Sequence, residues 1–209
     1  NKATMSREMP RLFRFFSLRV SLLTLIWLAG CTLQQPMDIS GKPDLALQKR
    51  LEAVDHWQFT GKLAVSTPEQ SESAHILWLQ NDKDFDIKLA GPAGLKATHI
   101  YGVPGDVNFE QGDRTASADS VEALSEQLVG WPLPATELTW WLRGIPAASK
   151  RAQSVGYTAD GWLAYLVQDG WTIRFSDHQR ISSVTLPGRI EAVRGSTKIT
   201  LVIKNWQIL

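Results

Sequence analysis

The sequence is poor in cysteine and in the short motifs that signal catalysis or nucleotide binding. Cys31 is the only cysteine among 209 residues, which excludes a disulfide framework and a cysteine-based zinc site. The four histidines stand at spacings that fit no metal site. Phosphate-binding glycine loops and the G-x-S-x-G serine motif are missing as well. We therefore expect a protein that is not an enzyme and holds no metal or cofactor.

A basic surface for nucleic acid is also lacking. The formal net charge of +1 comes from residues 1–30, which carry five basic residues and one acidic residue. From residue 31 onward the chain has 17 basic and 20 acidic residues. Nucleic-acid binding needs a basic face, so we expect no nucleic-acid partner.

The first thirty residues have the pattern of an export signal. Met5 and Met9 are both plausible starts, and three arginines precede an uncharged apolar run at residues 20–29. This run is too short to span a membrane, which takes roughly 20 apolar residues, but it suits the core of a signal peptide. The L-A-G-C sequence at residues 28–31 resembles the bacterial lipobox.

The lipobox resemblance implies that the chain is cut before Cys31 and that Cys31 receives a diacylglycerol and an N-acyl group. Several acyl chains together give stable anchoring to a membrane. Thr32 stands where an Asp would resemble the inner-membrane retention signal, which favours the outer membrane. The alternative interpretation is a buried free cysteine that follows a chance apolar run.

After the signal, the chain divides into a short linker and one domain. Residues 31–44 hold the lipidated cysteine and a tether with Pro36, Gly41 and Pro43 but no periodicity. Residues 45–209 are expected to form a single domain. A helix is predicted from about residue 45, capped by Ser40 or Asp44.

Alternating apolar residues predict about eleven strands in this domain. The predicted strands lie near residues 57–65, 74–80, 85–89, 96–102, 106–110, 113–117, 162–168, 171–176, 181–186, 189–194 and 197–206. The dipeptide Asp169-Gly170 predicts a tight hairpin. Helical spacing returns at residues 121–128, after a cap at Asp119 or Ser120, and at residues 136–143. The fold class is therefore mainly β with a helical insert: one antiparallel sheet curled around helices.

Several motifs in sequence order resemble the LolB family of lipoprotein receptors. They are G-P-A-G at 91–94, G-W-P-L-P at 130–134, W-L-x-G-I-P at 141–146 and N-W at 205–206. The resemblance covers nearly all of the chain after Cys31, and the two proline-containing blocks in the middle are its most specific part. It implies an incomplete, half-closed antiparallel β-barrel covered by a helical plug around an apolar cavity.

The resemblance also implies a function and partners. A LolB-type receptor, anchored in the outer membrane of a Gram-negative bacterium and facing the periplasm, takes cargo lipoproteins from the periplasmic carrier LolA. It then inserts them into outer-membrane phospholipid without nucleotide hydrolysis. We expect the protein to act as a monomer. Two other hypotheses stay open: an envelope lipoprotein that binds a small apolar ligand, and a non-catalytic envelope scaffold.

Nine tryptophans could belong to a solid core or to the wall of an apolar cavity, and the sequence does not separate the two. Our candidates for an acyl-chain cavity are apolar residues on predicted inward faces, although a register error of one residue would turn a strand's face outward. They are Phe59, Leu63, Ile76, Trp78, Ile87, Trp141, Trp171, Ile173 and Leu201.

The loop of Gly91, Pro92, Ala93, Gly94 and Leu95 is the candidate for membrane insertion. In the LolB family, the residue between the proline and the second glycine is often a large exposed apolar residue. Here that position holds the small Ala93. Leu95 could take over the role, or it could start the next strand and pack inward.

Overall fold

The computed structural model of the protein describes residues 39–91 and 97–209. Cys31 and the residues from Pro92 to Leu95 lie outside this description. The described part contains the helices α1 (Leu45–Glu52), α2 (Val121–Val129) and α3 (Ala135–Leu142). None of these helices is long and apolar enough to span a bilayer.

Thirteen strands are present in the described residues. They are β1 (His56–Ser66), β2 (Ser71–Asn81), β3 (Asp84–Ala90), β4 (Thr98–Val103), β5 (Asp106–Gln111), β6 (Arg114–Ala118), β7 (Ala152–Tyr157), β8 (Leu163–Gln168), β9 (Trp171–Ser176), β10 (Gln179–Ile181), β11 (Val184–Leu186), β12 (Arg189–Arg194) and β13 (Thr197–Ile208). Eleven of them form one antiparallel sheet in the order β6-β5-β4-β3-β2-β1-β13-β12-β9-β8-β7. Because β6 and β7 do not pair, the sheet remains open, which confirms the predicted half-closed barrel.

The register gives this sheet two distinct ends. At one end, which we call the mouth end, lie the hairpin turns at 67–70, 112–113, 169–170 and 195–196, and the β3–β4 connection starts there. The opposite end, the base end, carries the turns at 82–83 and 104–105 and the start of β8. At the mouth end, Asp169 (φ 50°) and Gly170 (φ 76°) both take left-handed backbone conformations. This confirms the predicted hairpin, because such conformations match the twist of the flanking strands.

Helices α1 and α2 begin where their caps predict. Asp44 accepts a hydrogen bond from the backbone N–H of Leu47 at 2.9 Å, and Ser120 accepts one from Ala123 at 3.1 Å. Helix α2 ends at Gly130, whose φ of 81° is left-handed. The chain then turns through the proline-rich residues 131–134 into α3.

Most of the core lies between the inner face of the sheet and the helices. Leu138, Trp141 and Leu142 of α3 are buried in the main core cluster, where Trp141 contacts Gln168 of β8 and Trp171 of β9. Val121 and Leu124 of α2 pack in a smaller cluster with Val107 and Phe109 of β5. Burial of each such side chain contributes about 1.5–3 kcal/mol to the stability of the fold. These contacts therefore hold α2 and α3, which we call the helical plug, on the sheet.

Two predicted features differ in the structure. Strand β7 was not predicted, because half of its residues are exposed at the sheet edge and the strand shows no apolar alternation. The single strand predicted over 181–186 is instead the small β10–β11 hairpin, which turns at Ser182 with a φ of 53°. Residues 39–41, predicted as tether, lie beside β7, where Ser40 and Gly41 pair with Tyr157.

Candidate functional site

An apolar cavity of about 580 Å³ opens at the mouth end, on the inner face of the sheet. We call it the mouth cavity. Its apolar wall comes from three adjacent strands and from the residues that end α2 and follow it: Leu63, Val65, Ala74, Leu89, Val129 and Trp131. Its rim is mostly hydroxyl and amide side chains: Thr67, Gln70, Ser71, Ser73, Thr98 and Gln111. Glu72 is the only ionisable residue among the described residues that line it.

Local structure explains why Trp131 lies over this cavity. Gly130 ends α2 with its N–H bonded to the carbonyl of Glu126 at 2.9 Å. The backbone N–H of Leu133 then donates to Ser125 Oγ at 2.7 Å. These two bonds fix the turn that carries Trp131, while Val129 remains 49% exposed. An exposed valine beside a partly buried tryptophan gives the cavity an apolar lip.

Below the mouth cavity, the inner face is closed by packed aromatic rings. The ring centroids of Trp57 and Phe59 lie 6.1 Å apart, and each of these rings lies 5.2 to 6.2 Å from those of Trp78 and Trp206. Trp78 Nε1 donates to Gln80 Oε1 at 2.9 Å, and Trp206 Nε1 donates to the carbonyl of Pro187 at 3.0 Å. These rings are therefore fixed, and they form a solid floor.

The nine predicted cavity residues lie on the inner side, but they reach different depths. Leu63 is partly buried and lines the mouth cavity. The other eight are buried in the core rather than on the cavity wall: Phe59, Ile76, Trp78, Ile87, Trp141, Trp171, Ile173 and Leu201. Alternation along a strand identifies its face but not how far from the mouth the packing closes.

Five apolar wall residues were missing from the sequence-based candidates. Val65 follows Leu63 on the same face, and Ala74 is the cross-strand partner of Leu63. Leu89 follows Ile87 on the inner face of β3. Trp131 and Val129 flank the glycine that ends α2. The continuing alternation could have identified the strand residues, whereas the position of Trp131 depends on tertiary contacts.

Of the predicted insertion loop, the structure describes only Gly91, which is half-buried and borders the mouth cavity. Pro92, Ala93, Gly94 and Leu95 lie outside the described residues. Both described ends of the connection, Ala90–Gly91 and Ala97–Thr98, are at the mouth end. The loop therefore starts and finishes beside the mouth cavity.

The helical plug is tied to the sheet by Gln168, a fully buried residue that the sequence did not single out. Its Oε1 accepts from Trp141 Nε1 at 3.0 Å and from the backbone N–H of Ala147 at 2.9 Å. Its Nε2 donates to the carbonyls of Ala147 at 2.9 Å and Lys150 at 2.7 Å. One side chain thus holds both α3 and the segment after it against β8.

Arg143, directly after α3, makes the second polar attachment of the plug. Its Nη1 donates to the carbonyls of Leu51, Glu52 and Val54 at 3.0 to 3.3 Å, which satisfies the C-terminal end of α1. The guanidinium lies 4.5 Å from the ring centroid of Trp140. Burial lowers the pKa of Arg143 from its ordinary value, although the group remains a cation at neutral pH.

A second depression, of about 650 Å³, lies on the opposite, outer face of the sheet. We call it the outer depression. Adjacent strands place Lys88, His99 and Glu110 in one row across it. His99 Nε2 lies 3.0 Å from Asp86 Oδ2, and the hydroxyl of Tyr101 donates to Glu110 at 2.8 Å. Because His99 and Glu110 already have polar partners on neighbouring strands, the outer depression fits an apolar ligand less well than the mouth cavity does.

No cluster of three metal-ligating side chains occurs within residues 39–91 and 97–209. The mouth cavity has an apolar wall, a polar rim and an apolar lip, and these properties suit the binding of an apolar ligand rather than catalysis.

The chain is similar to several known proteins. A family model described as outer membrane lipoprotein LolB matches residues 55–206. The outer-membrane lipoprotein LolB of Cellvibrio japonicus is 36% identical over 195 residues, covering 90% of this chain and 95% of its own. The protein of that name from Stutzerimonas stutzeri is 38% identical over 186 residues, covering 86% of this chain and 90% of its own. A solved LolA superfamily protein from Nitrosomonas europaea aligns with a TM-score of 0.47 at 13% identity, covering 78% of this chain and 91% of its own.

Proposed function

This chain belongs to the LolB family of outer-membrane lipoproteins, and from that premise we propose that its mouth cavity receives the acyl chains of cargo lipoproteins. The family role is that of a non-catalytic receptor in lipoprotein localisation at the outer membrane of Gram-negative bacteria. In our proposal the protein acts as a monomer that accepts cargo from a LolA-type carrier and releases it into outer-membrane phospholipid.

The mouth cavity is the observation that supports this assignment. A cargo lipoprotein exposes acyl chains, and each methylene group removed from water contributes about 0.8 kcal/mol. The apolar wall formed by Leu63, Val65, Leu89 and Trp131 offers such burial within reach of solvent. The hydroxyl and amide rim can face the polar ester and amide groups at the head of the cargo.

Transfer needs no energy source if affinities rise along the route. The cavity must bind the acyl chains more tightly than the carrier does and less tightly than a bilayer does. The cavity stays open on one side, so part of the chain surface remains in water. Complete immersion in a bilayer removes that remaining exposure, which favours release into the membrane.

We further propose that Cys31 carries the diacylglycerol and N-acyl groups that anchor the protein. Cys31 is the only cysteine in the chain and follows the apolar run of the signal. Anchoring keeps the protein at one membrane surface and raises the effective concentration of acceptor phospholipid.

Leu95 is proposed as the apolar tip of the insertion loop, since the loop starts and ends beside the mouth cavity. Leu95→Glu should stop cargo insertion into phospholipid vesicles while cargo binding continues. Leu209→Glu is the matched control, because Leu209 is a 64% exposed leucine at the base end. Normal insertion by Leu95→Glu would contradict this role.

The proposed function is tested by cargo transfer. Protein lacking residues 1–31 is mixed with a complex of LolA-type carrier and acylated cargo, and cargo is then followed on each protein by affinity separation. We expect complete transfer to the unmodified protein and at least tenfold less to Leu63→Glu, which places a charge in the apolar wall. Ala64→Glu, one residue along on the outer face, should transfer normally.

Absence of transfer to the unmodified protein would contradict the proposed function. Equal transfer to Leu63→Glu and Ala64→Glu, with both variants folded by circular dichroism, would contradict the assignment of the mouth cavity.

A further inference from the structure

Residues 39–44, which we call the docked segment, are held against the edge strand β7 and the turn that follows it. Ser40 and Gly41 bridge to Tyr157, and the Gly41 N–H donates to the Tyr157 carbonyl at 3.0 Å. The N–H of Asp44 donates to the carbonyl of Gly161 at 3.2 Å. A segment predicted as part of a free tether is therefore attached to the sheet.

Glycines make this attachment possible. A Cβ atom at Gly41 would lie 1.6 Å from the carbonyl oxygen of Thr158, so only glycine fits there. Gly161 has a φ of +80°, and a Cβ atom on it would lie 2.9 Å from the backbone nitrogen of Asp44. The docked segment thus approaches the body more closely than side-chain-bearing residues would allow, which indicates a built contact.

The contact is also easy to release. Five of the six residues in the docked segment are exposed, and Ile39 is 49% exposed. Detaching the segment would therefore bring little additional apolar surface into water. The interactions that would be lost include the backbone hydrogen bonds of Gly41 and Asp44 and the hydrogen bond by which the Asp44 side chain caps α1. These groups lie at the surface, where water can replace the lost partners.

The docked segment lies at the end of the sheet opposite the mouth cavity. Tyr157 pairs with Leu163 at the start of β8, and β8 reaches the mouth end only at Gln168. Strand β1, whose far end lines the mouth cavity, has 11 residues, so its first and last Cα atoms are ten steps of 3.3 Å, or about 33 Å, apart. An anchor joined to the docked segment therefore starts from the base end.

Chain length limits what that anchor can reach. Cys31 precedes Ile39 by eight residues, which span at most about 28 Å when fully extended. Release of the docked segment up to Leu45 makes the link 14 residues long, with a maximum span of about 49 Å. The maximum span from Cys31 is therefore shorter than β1 while the segment is docked, and longer than β1 once the segment is released.

We propose that the docked segment is a reversible latch that controls which end of the molecule meets the membrane. While it is docked, the lipid anchor holds the base end near the membrane and the mouth cavity is free to receive cargo. Release gives the body enough chain to bring the mouth cavity to the same lipid surface. This inference rests on the proposed function.

A disulfide can hold the latch closed. A Cβ atom on Gly156 would lie 3.3 Å from Ile39 Cβ, close to the roughly 3.5–4.5 Å found between Cβ atoms in disulfides. The test protein is the full lipidated chain with Ile39→Cys and Gly156→Cys, placed in phospholipid vesicles. Its acylated Cys31 leaves the new pair as the only thiols.

Cargo uptake from the carrier and cargo delivery into the vesicle are measured before and after reduction. We expect the oxidised protein to take up cargo normally and to deliver it at least tenfold more slowly, with recovery on reduction. The two single-cysteine variants should deliver like the unmodified protein in both conditions. Equal delivery by the oxidised and reduced protein would overturn the latch.

A linker variant tests whether reach is the limiting factor. Twelve glycine and serine residues inserted after Thr32 add up to about 40 Å of extended chain. Delivery by the oxidised protein should then return to within threefold of the unmodified rate, and continued failure would overturn the reach argument. If the unmodified protein takes up no cargo at all, the proposed function fails and the latch fails with it.

Discussion

Replacing Gln168 with methionine tests how the helical plug is held. Methionine has a similar length and an apolar end, so it fills the space without making hydrogen bonds. The buried groups left without a partner are Trp141 Nε1 and the Ala147 N–H, since Trp141 is fully buried and Ala147 is 2% exposed. The Ala147 carbonyl keeps a hydrogen bond from the backbone N–H of Lys150 at 3.4 Å. The Lys150 carbonyl belongs to an exposed residue and can turn to water.

The size of the effect follows from these two groups. An unsatisfied buried polar group costs about 1–3 kcal/mol, so Gln168→Met should lower the free energy of unfolding by roughly 2–6 kcal/mol. Gln80→Met is the matched control. Gln80 is also buried but bonds only Trp78 Nε1 and the carbonyl of the exposed Asp82, so we expect a loss of about 1–2 kcal/mol.

Urea unfolding followed by tryptophan fluorescence measures both variants, using protein that lacks residues 1–31. A loss below about 1 kcal/mol for Gln168→Met, less than a single unsatisfied group costs, would refute the assignment of Gln168 as the main polar attachment of the plug. A loss equal to that of Gln80→Met would refute it too.

Gln168→Glu tests the two hydrogen bonds that Gln168 Nε2 donates. Above the pKa of the new glutamate, its carboxylate would face the Ala147 and Lys150 carbonyls. Its deficit should shrink as pH falls and the carboxyl regains a proton.

Two further predictions concern the same framework. Arg143→Met should lower the free energy of unfolding by about 3 kcal/mol, because three carbonyls at the end of α1 lose a charged donor. Urea unfolding measures this beside the control Arg174→Met, which changes an exposed arginine. An equal loss of unfolding free energy in both variants would contradict the prediction. His178 is half-buried against Trp162, and burial lowers the pKa of its imidazole in the folded state. The unfolded chain therefore binds the proton more readily, so stability should fall as pH drops below about 6.5. His178→Gln should flatten this part of the urea-midpoint curve, and an unchanged slope would contradict the assignment.

The sheet was largely predictable because its signal is local. Alternation along β1 and β9 and the Asp169-Gly170 turn each depend on neighbouring residues, and the structure confirms all three. Strand β7 escaped prediction because its pairing partner, rather than its own pattern, makes it a strand. The caps Asp44 and Ser120 were also visible in the sequence, since capping is a local interaction.

The candidate site was less predictable, because its limits are set by depth and by distant contacts. Leu63 and Phe59 are equivalent in the sequence pattern, yet Leu63 lines the mouth cavity and Phe59 is 1% exposed in the core. Gln168 and Arg143 look like ordinary surface residues in the sequence. Their burial arises from partners that lie 21 and 92 residues away along the chain, as with Ala147 and Leu51.

Photo-crosslinking tests the central claim most directly. Cargo lipoprotein with a photoreactive group near the end of one acyl chain is loaded onto the protein from its carrier, irradiated and mapped by mass spectrometry. We predict crosslinks in the mouth cavity, at Leu63, Val65 and Trp131. Crosslinks at His75 and Leu77 in the outer depression instead, or none above a sample with excess competing lipid, would contradict it.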